Sequence, residues 1–171
     1  MDRVWATWRA TYVSDATQAN RSHNQDDCVF CDLMDRGVAQ ETGIVYLDEL
    51  SCCILNAYPY GSGHLLVLPR RHEPDLLALN SDESAAIWST LRQAVAALEI
   101  AYGPDGVNIG ANLGEAAGAG IPAHLHLHAL PRWRGDTNFM TSIGETRVLP
   151  ESLADVWNRV ADAWGKAQNE G

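Results

Sequence analysis

His124-Leu-His126-Leu-His128-Ala-Leu130 is the stretch on which the reading of this chain turns. Successive strand side chains point to opposite faces, so the three imidazoles share one face while Leu125 and Leu127 point into a core. Three of the six histidines of the chain fall within five positions. Two kinds of chemistry suit such a face. Histidines at two-residue spacing make a usable metal-ligand geometry. An imidazole also titrates near neutral pH, so it can serve as nucleophile, acid or base under mild conditions. The strand is expected to run from His124 to Leu130 and to stop at Pro131.

Upstream, Gly114, Gly118 and Gly120 punctuate a segment with few side chains, which lets backbone N–H groups approach an anion. Arg132 and Arg134, just past the strand, are candidates for further positive charge. Val107, Ile109 and Ala111 read as another strand. Asn80 with Glu83 has capping-box spacing, and Ile87, Leu91, Val95, Leu98 and Tyr102 repeat every three or four residues. That predicts a long helix ending before Gly103-Pro104. Ile44-Val-Tyr46 and Cys52-Cys-Ile-Leu55 flank Asp48 and Glu49 as a hairpin, and His64-Leu-Leu-Val-Leu68 reads as a further strand. Near the C-terminus, a helix from about Glu151 turns Leu153, Val156, Val160 and Trp164 inward. At the other end, Val4, Trp5, Trp8 and Tyr12 are spaced as a short amphipathic helix, followed by a polar loop from Ser14 to Asp27. This order predicts an α+β fold, an antiparallel sheet with segregated helices.

The 171 residues suit one domain. Twelve Lys and Arg against 22 Asp and Glu leave a net charge of −10. That excludes general nucleic-acid binding, which needs clustered cations on phosphates. A phosphate site in such a chain must build its positive character locally. No apolar run approaches the roughly 20 residues of a membrane span, and no basic-then-apolar leader opens the sequence, so a cytoplasmic location is expected. Cys28-Val-Phe-Cys31 reads as half of a zinc site, a redox pair or two buried thiols. Cys52 and Cys53 fall on opposite faces of one strand and read as one core and one sheet-surface residue.

These segments resemble the histidine-triad (HIT) superfamily of nucleotide hydrolases and transferases. His124 to Leu130 is similar to its His-φ-His-φ-His-φ-φ signature, where φ is apolar. Leu55-Asn56 through Gly63-His64 to Pro69 resembles the sugar-binding strand, and Asn112-Leu-Gly114 the phosphate-side segment. Ile121 through Trp133, with Gly135-Asp-Thr-Asn-Phe139, resembles the bacterial diadenosine tetraphosphate phosphorylase or hydrolase branch. The resemblance implies a HIT-like fold with a five-stranded antiparallel sheet, a long helix and a C-terminal helix. It implies one domain over residues 1–171. An N-terminal helix and loop would reach about residue 27, a core about 28–133, and a C-terminal extension would follow from about 134.

The resemblance also implies roles. His126 would be the nucleophile that takes up the nucleotide, and His128 the residue that contacts phosphate and assists the leaving group. Asn56 would bond the ribose hydroxyls, while Asn112, Gly114, Gly118 and Gly120 would hold phosphate. Zinc-binding members place ligands at positions matching Cys28, Cys31, His72 and His124, so a structural Zn2+ is expected. His64 and His23 read as ordinary residues. Between Gly118 and His124, where many members carry Ser, Thr or Gln, this chain has Ala119-Gly-Ile-Pro-Ala123, so leaving-group contacts are expected from backbone amides. The implied substrate is an adenine dinucleoside polyphosphate, opened through a nucleotidyl-histidine intermediate with water or phosphate as acceptor. A homodimer is implied, with the helix beginning near Asn80 as its contact. The alternatives are a nucleoside phosphoramidate (adenylyl-lysine type) hydrolase, a nucleotide-binding protein with little catalysis, and a purely metal-dependent function. No nucleic-acid or membrane partner is expected.

Overall fold

The computed structural model describes residues 27–136 and 151–169. The elements run α1 (Val29–Arg36), β1 (Ile44–Leu47), β2 (Ser51–Leu55), β3 (Leu65–Pro69), α2 (Ser81–Tyr102), β4 (Gly106–Ala111), β5 (Leu127–Arg132) and α3 (Leu153–Asn169). The five strands form one antiparallel sheet in the order β1-β2-β3-β5-β4. Every residue of β2 and β3 is buried, because helices cover both faces of the sheet. Cys53, Leu55, Leu65 and Val67 face α2 and α3 in one core, with Ile87, Leu91, Leu98, Val160 and Trp164. Cys52, Ile54, Leu66 and Leu68 face α1 in a second core, with Phe30, Cys31 and Met34. The two-residue alternation therefore sorts each strand between two cores. Cys52 and Cys53 do lie on opposite faces, but both are fully buried; neither is a sheet-surface residue, since α1 covers the face of Cys52.

The α+β architecture, the hairpin and the long helix match expectation. Asn80 and Glu83 form the reciprocal capping box of α2, and Gly103 closes it in the left-handed region at φ 51°. The inward face shifts slightly: Thr90, Ala94 and Ala97 join Ile87, Leu91 and Leu98, while Val95 and Tyr102 are half-buried. In α3, Val156, Val160 and Trp164 are buried as expected, but Leu153, the first residue of the helix, is exposed. Trp157 Nε1–H donates to the Ile44 carbonyl (3.0 Å), and the Trp164 ring stacks on Tyr46. Thus α3, and not the sheet alone, covers the apolar face of α2.

The histidine strand departs from expectation at both ends. β5 begins at Leu127, not His124, because its neighbour runs out: the position that would pair with Leu125 is Pro69, which has no N–H. The Leu125 N–H goes instead to the Glu73 carbonyl at 2.8 Å, and the Pro69 carbonyl meets His124 Nε2 at 3.0 Å. At the far end, β5 continues through Pro131 to Arg132. β3 pairs only as far as Ala129, so Pro131 has one neighbouring strand, a position that tolerates proline. The expected helix over Val4–Tyr12, His23 and residues 137–150 of the C-terminal extension lie outside the described residues.

Arg71 and Glu83 fasten the start of α2 to the segment after β3. Arg71 Nε and Nη2 donate to the two Glu83 oxygens at 2.7 and 3.0 Å, and the Asn80 N–H adds a third bond at 2.9 Å. The Arg71 guanidinium, then the Asn80 amide, hold the Glu83 carboxyl down at about 2. A carboxyl depressed on folding stabilises above its unfolded value and loses that contribution as pH falls through its folded value. Arg71 is half exposed, so solvent screens the pair. Glu83→Gln is expected to lower the thermal midpoint by a few degrees at pH 7. The gap to wild type closes as pH falls from 4.5 to about 2 and narrows in molar salt. Equal midpoints at pH 7, or a gap that survives at pH 2, contradict this account.

Candidate active site

Four side chains from three separated segments converge beside α1. Cys28 is its N-cap and Cys31 lies in its first turn, His72 follows β3, and His124 precedes β5. Their ligand atoms all lie within 4.8 Å of one another. Cys28 Sγ is 3.4 Å from His124 Nδ1, Cys31 Sγ is 3.8 Å from the same nitrogen, and Cys31 Sγ is 3.5 Å from His72 Nδ1. A tetrahedral zinc with sulfur at about 2.3 Å and nitrogen at about 2.05 Å requires S···N edges of about 3.6 Å. The donor set therefore fits that ion in type, number and spacing. The second nitrogen of His124 agrees. A carbonyl only accepts, so His124 Nε2 carries the proton donated to Pro69, which leaves Nδ1 as the lone pair facing both sulfurs. Burial, reinforced by the Cys28 thiol, pushes Cys31 up to about 12, and burial pulls His124 down to about 4. A bound cation reverses the thiol's preference, because the ligand is the thiolate.

Next to this cluster is a cavity of about 580 Å³. Val29, Phe30 and Leu33 of α1, with Ile54, Leu66 and Ile121, make one part of its wall apolar; Asn56, Asn112, Gly120, His126 and His128 also line it. Asn56 Oδ1 accepts from the Tyr58 N–H at 2.9 Å, and Asn112 Nδ2 is 3.4 Å from the Gly118 carbonyl. Gly114 and Gly118 are not on this wall. Their φ angles of 79° and 91° turn the loop that carries Gly120. Arg132 and Arg134 do not reach the cavity either. The Arg132 guanidinium is taken by Asp136 at 2.6 and 2.7 Å and by Asn108 at 2.8 Å, and Arg134 is exposed. Among the described residues, local positive character is left to backbone N–H groups and imidazole.

Two hydrogen-bond chains set which nitrogens face the cavity. His126 Nδ1 lies 2.8 Å from the His124 carbonyl, so Nδ1 carries the proton and Nε2 the lone pair. His126 is 6% exposed, and burial pulls its pKa below the ordinary histidine value, which keeps the ring neutral at pH 7. The second chain runs through His64, which sequence reasoning took as ordinary. His64 Nδ1 accepts from the Tyr60 N–H at 3.0 Å, so in the neutral ring Nε2 bears the proton, and Nε2 meets His128 Nδ1 at 2.9 Å. His128 Nδ1 is thereby an acceptor, and its proton sits on Nε2. The missed signal was a histidine opening an otherwise wholly apolar strand. Its fixed place also explains Gly63, where φ is 74° and an added Cβ would stand 2.8 Å from the Tyr102 ring.

A family profile described as "HIT domain" matches residues 38–135. The chain is 34% identical over 171 residues to an "AP-4-A phosphorylase" of Mycobacterium tuberculosis, covering 97% of this chain and 86% of that protein. It is 32% identical over 93 residues to an asymmetrical bis(5'-nucleosyl)-tetraphosphatase of Schizosaccharomyces pombe, 54% of this chain and 50% of that protein. Among solved structures, a zinc-bound histidine triad family protein from Mycobacterium smegmatis superposes with a TM-score of 0.69 at 25% identity. That match covers 86% of this chain and all of the other.

The tautomers are directly measurable. Long-range 15N–1H spectra at pH 7.5 are expected to show His126 protonated at Nδ1, and His64 and His128 protonated at Nε2. The opposite tautomer at His126 or His128 contradicts the hydrogen-bond assignment.

Proposed function

This chain belongs to the HIT domain family, as a nucleotide hydrolase or phosphorylase, and we propose that it opens dinucleoside polyphosphates through a nucleotide held covalently on His126. The observation that carries the reading is that His126 and His128 line one cavity wall with opposite tautomers, a lone pair on His126 Nε2 and a proton on His128 Nε2. His126 Nε2 attacks the α-phosphorus; the P–N bond forms as the P–O bond to the leaving polyphosphate breaks. His128 Nε2–H gives a hydrogen bond to the departing oxygen, which leaves as the polyphosphate anion, so no proton is transferred. Water or inorganic phosphate then attacks the same phosphorus, the P–N bond breaks, and the nucleotide leaves. Covalent capture divides one difficult substitution into two easier ones. Backbone N–H groups around Gly120 and the Asn112 amide stabilise charge on the phosphate oxygens. Asn56 bonds the ribose, and the apolar wall from α1 takes the base.

Cys28, Cys31, His72 and His124 would hold a structural Zn2+, which would tie α1 to the segment after β3 and the segment before β5. A homodimer belongs to the same reading. β4 is an edge strand with five of its six residues exposed, including Ile109, and α2 exposes Trp88 and Ile100. A monomer in sedimentation at micromolar concentration contradicts it.

Diadenosine tetraphosphate is expected to give ATP with AMP in the absence of phosphate, or ATP with ADP in its presence; whichever pair forms identifies the acceptor. His126→Asn is expected to lose turnover by several orders of magnitude while still binding AMP, because ribose and base contacts come from other residues. Appreciable activity in that variant, or a labelled adduct on another residue, overturns the mechanism. Metal analysis of protein purified without chelator is expected to find about one zinc per chain. A Cys28→Ser variant that keeps full zinc content rules the ligand set out.

A further inference from the structure

The metal cluster and the cavity share two components. The first is α1. Its N-cap and first turn supply Cys28 and Cys31 to the cluster, while Val29, Phe30 and Leu33 of the same helix form cavity wall. An eight-residue helix does not hold its own shape in water, and the N-cap Cys28 makes no capping hydrogen bond through its side chain. The position of this wall thus depends on what anchors its first turn. Phe30 spans the junction, with its ring centroid 5.6 Å from both His124 and His126. The second shared component is His124. Its imidazole belongs to the cluster, and its carbonyl holds His126 Nδ1 at 2.8 Å.

We infer that the Cys28–Cys31–His72–His124 centre and the nucleotide cavity are thermodynamically linked, so that filling either one tightens binding at the other, with α1 and Phe30 as the route. This rests on the nucleotide and zinc readings given above. Metal in the cluster fixes the cavity wall and the His124 backbone before a nucleotide arrives. A nucleotide packed on that wall in turn fixes the ligand geometry. By linkage, the factor must be the same in both directions. A centre that only added general stability, with no differential contact to the nucleotide-bound state, would give a factor of one.

The test uses the full chain and AMP as probe. Calorimetric titration gives the AMP dissociation constant of zinc-loaded and chelator-treated protein, with circular dichroism to establish that both are folded. Competition with a chromogenic chelator gives the zinc dissociation constant with and without saturating AMP. Both ratios are expected to agree at about tenfold, within the usual range of site-to-site coupling. Phe30→Leu is expected to keep one zinc per chain and to bring the ratio close to one. If the metal-free chain unfolds, cobalt replaces zinc and the readout is made on loaded protein alone: AMP is expected to shift the thiolate–cobalt absorption band in wild type and not in Phe30→Leu. Equal AMP affinity in the two folded forms, or a cobalt band unmoved by AMP, overturns the linkage and leaves the nucleotide reading standing. An effect unchanged in Phe30→Leu overturns the route. Failure of the loaded protein to bind AMP overturns the nucleotide reading, and the linkage with it.

Discussion

The hydrogen bond from His126 Nδ1 to the His124 carbonyl is the interaction on which the site depends. It decides that Nε2, not Nδ1, presents a lone pair to the cavity. Its acceptor is held in turn, because the His124 ring is fixed between the Pro69 carbonyl and the two cysteine sulfurs. The backbone there is not held by a regular ladder, since Pro69 ends the pairing of β3 with the incoming histidine segment. The His124 side chain on the Pro69 carbonyl and the Leu125 N–H on the Glu73 carbonyl replace the ladder there.

Charge imposes a second constraint. A chain with a net charge of −10 repels polyanions at long range, so a polyphosphate site has to act over short distances. The nearby arginines do not serve it: Arg132 is closed on Asp136 and Asn108. Among the described residues, fixed backbone donors and oriented imidazoles in a cavity with an apolar wall are the remaining means. Such groups act strongly where water is excluded and need no reorganisation during reaction.

Local signals were legible in the sequence where local physics decides the outcome. The capping box at Asn80 and Glu83, the Gly103 terminator and the β1–β2 hairpin are all contacts between residues close in the chain. The grouping of Cys28, Cys31, His72 and His124 came from family resemblance and is matched by their convergence. What sequence reasoning missed depends on non-consecutive pairing. β5 inserts between β3 and β4, which brings His64 against His128 across 64 positions. No periodicity in either strand announces that meeting. The same pairing, and the limited length of β3, moved the start of β5 to Leu127 and carried it through Pro131. Likewise, the sequence assigns one of Cys52 and Cys53 to the sheet surface because an alternating strand does not say whether a helix lies on its other face.

His126 and His128 are chemically identical groups with ring centroids 5.2 Å apart, yet the proposed reaction needs one to attack and the other to donate. Enzymes commonly separate such roles by driving two pKa values apart. Here a tautomer difference does the separating. A carbonyl behind His126 forces its proton to Nδ1, and a donor behind His128 forces its proton to Nε2. The opposite partners make the two rings complementary: His126 has its lone pair on Nε2 and His128 has its proton there. His64 is the reason for the second choice, because its own Nδ1 is claimed by the Tyr60 amide. The Tyr60 backbone amide thus fixes, through two imidazoles, which nitrogen of His128 carries the proton. Replacing His64 by a residue that accepts toward His128 would invert that ring and place its lone pair on Nε2, leaving the attacking nitrogen of the proposed reaction intact and the departing oxygen without its hydrogen bond.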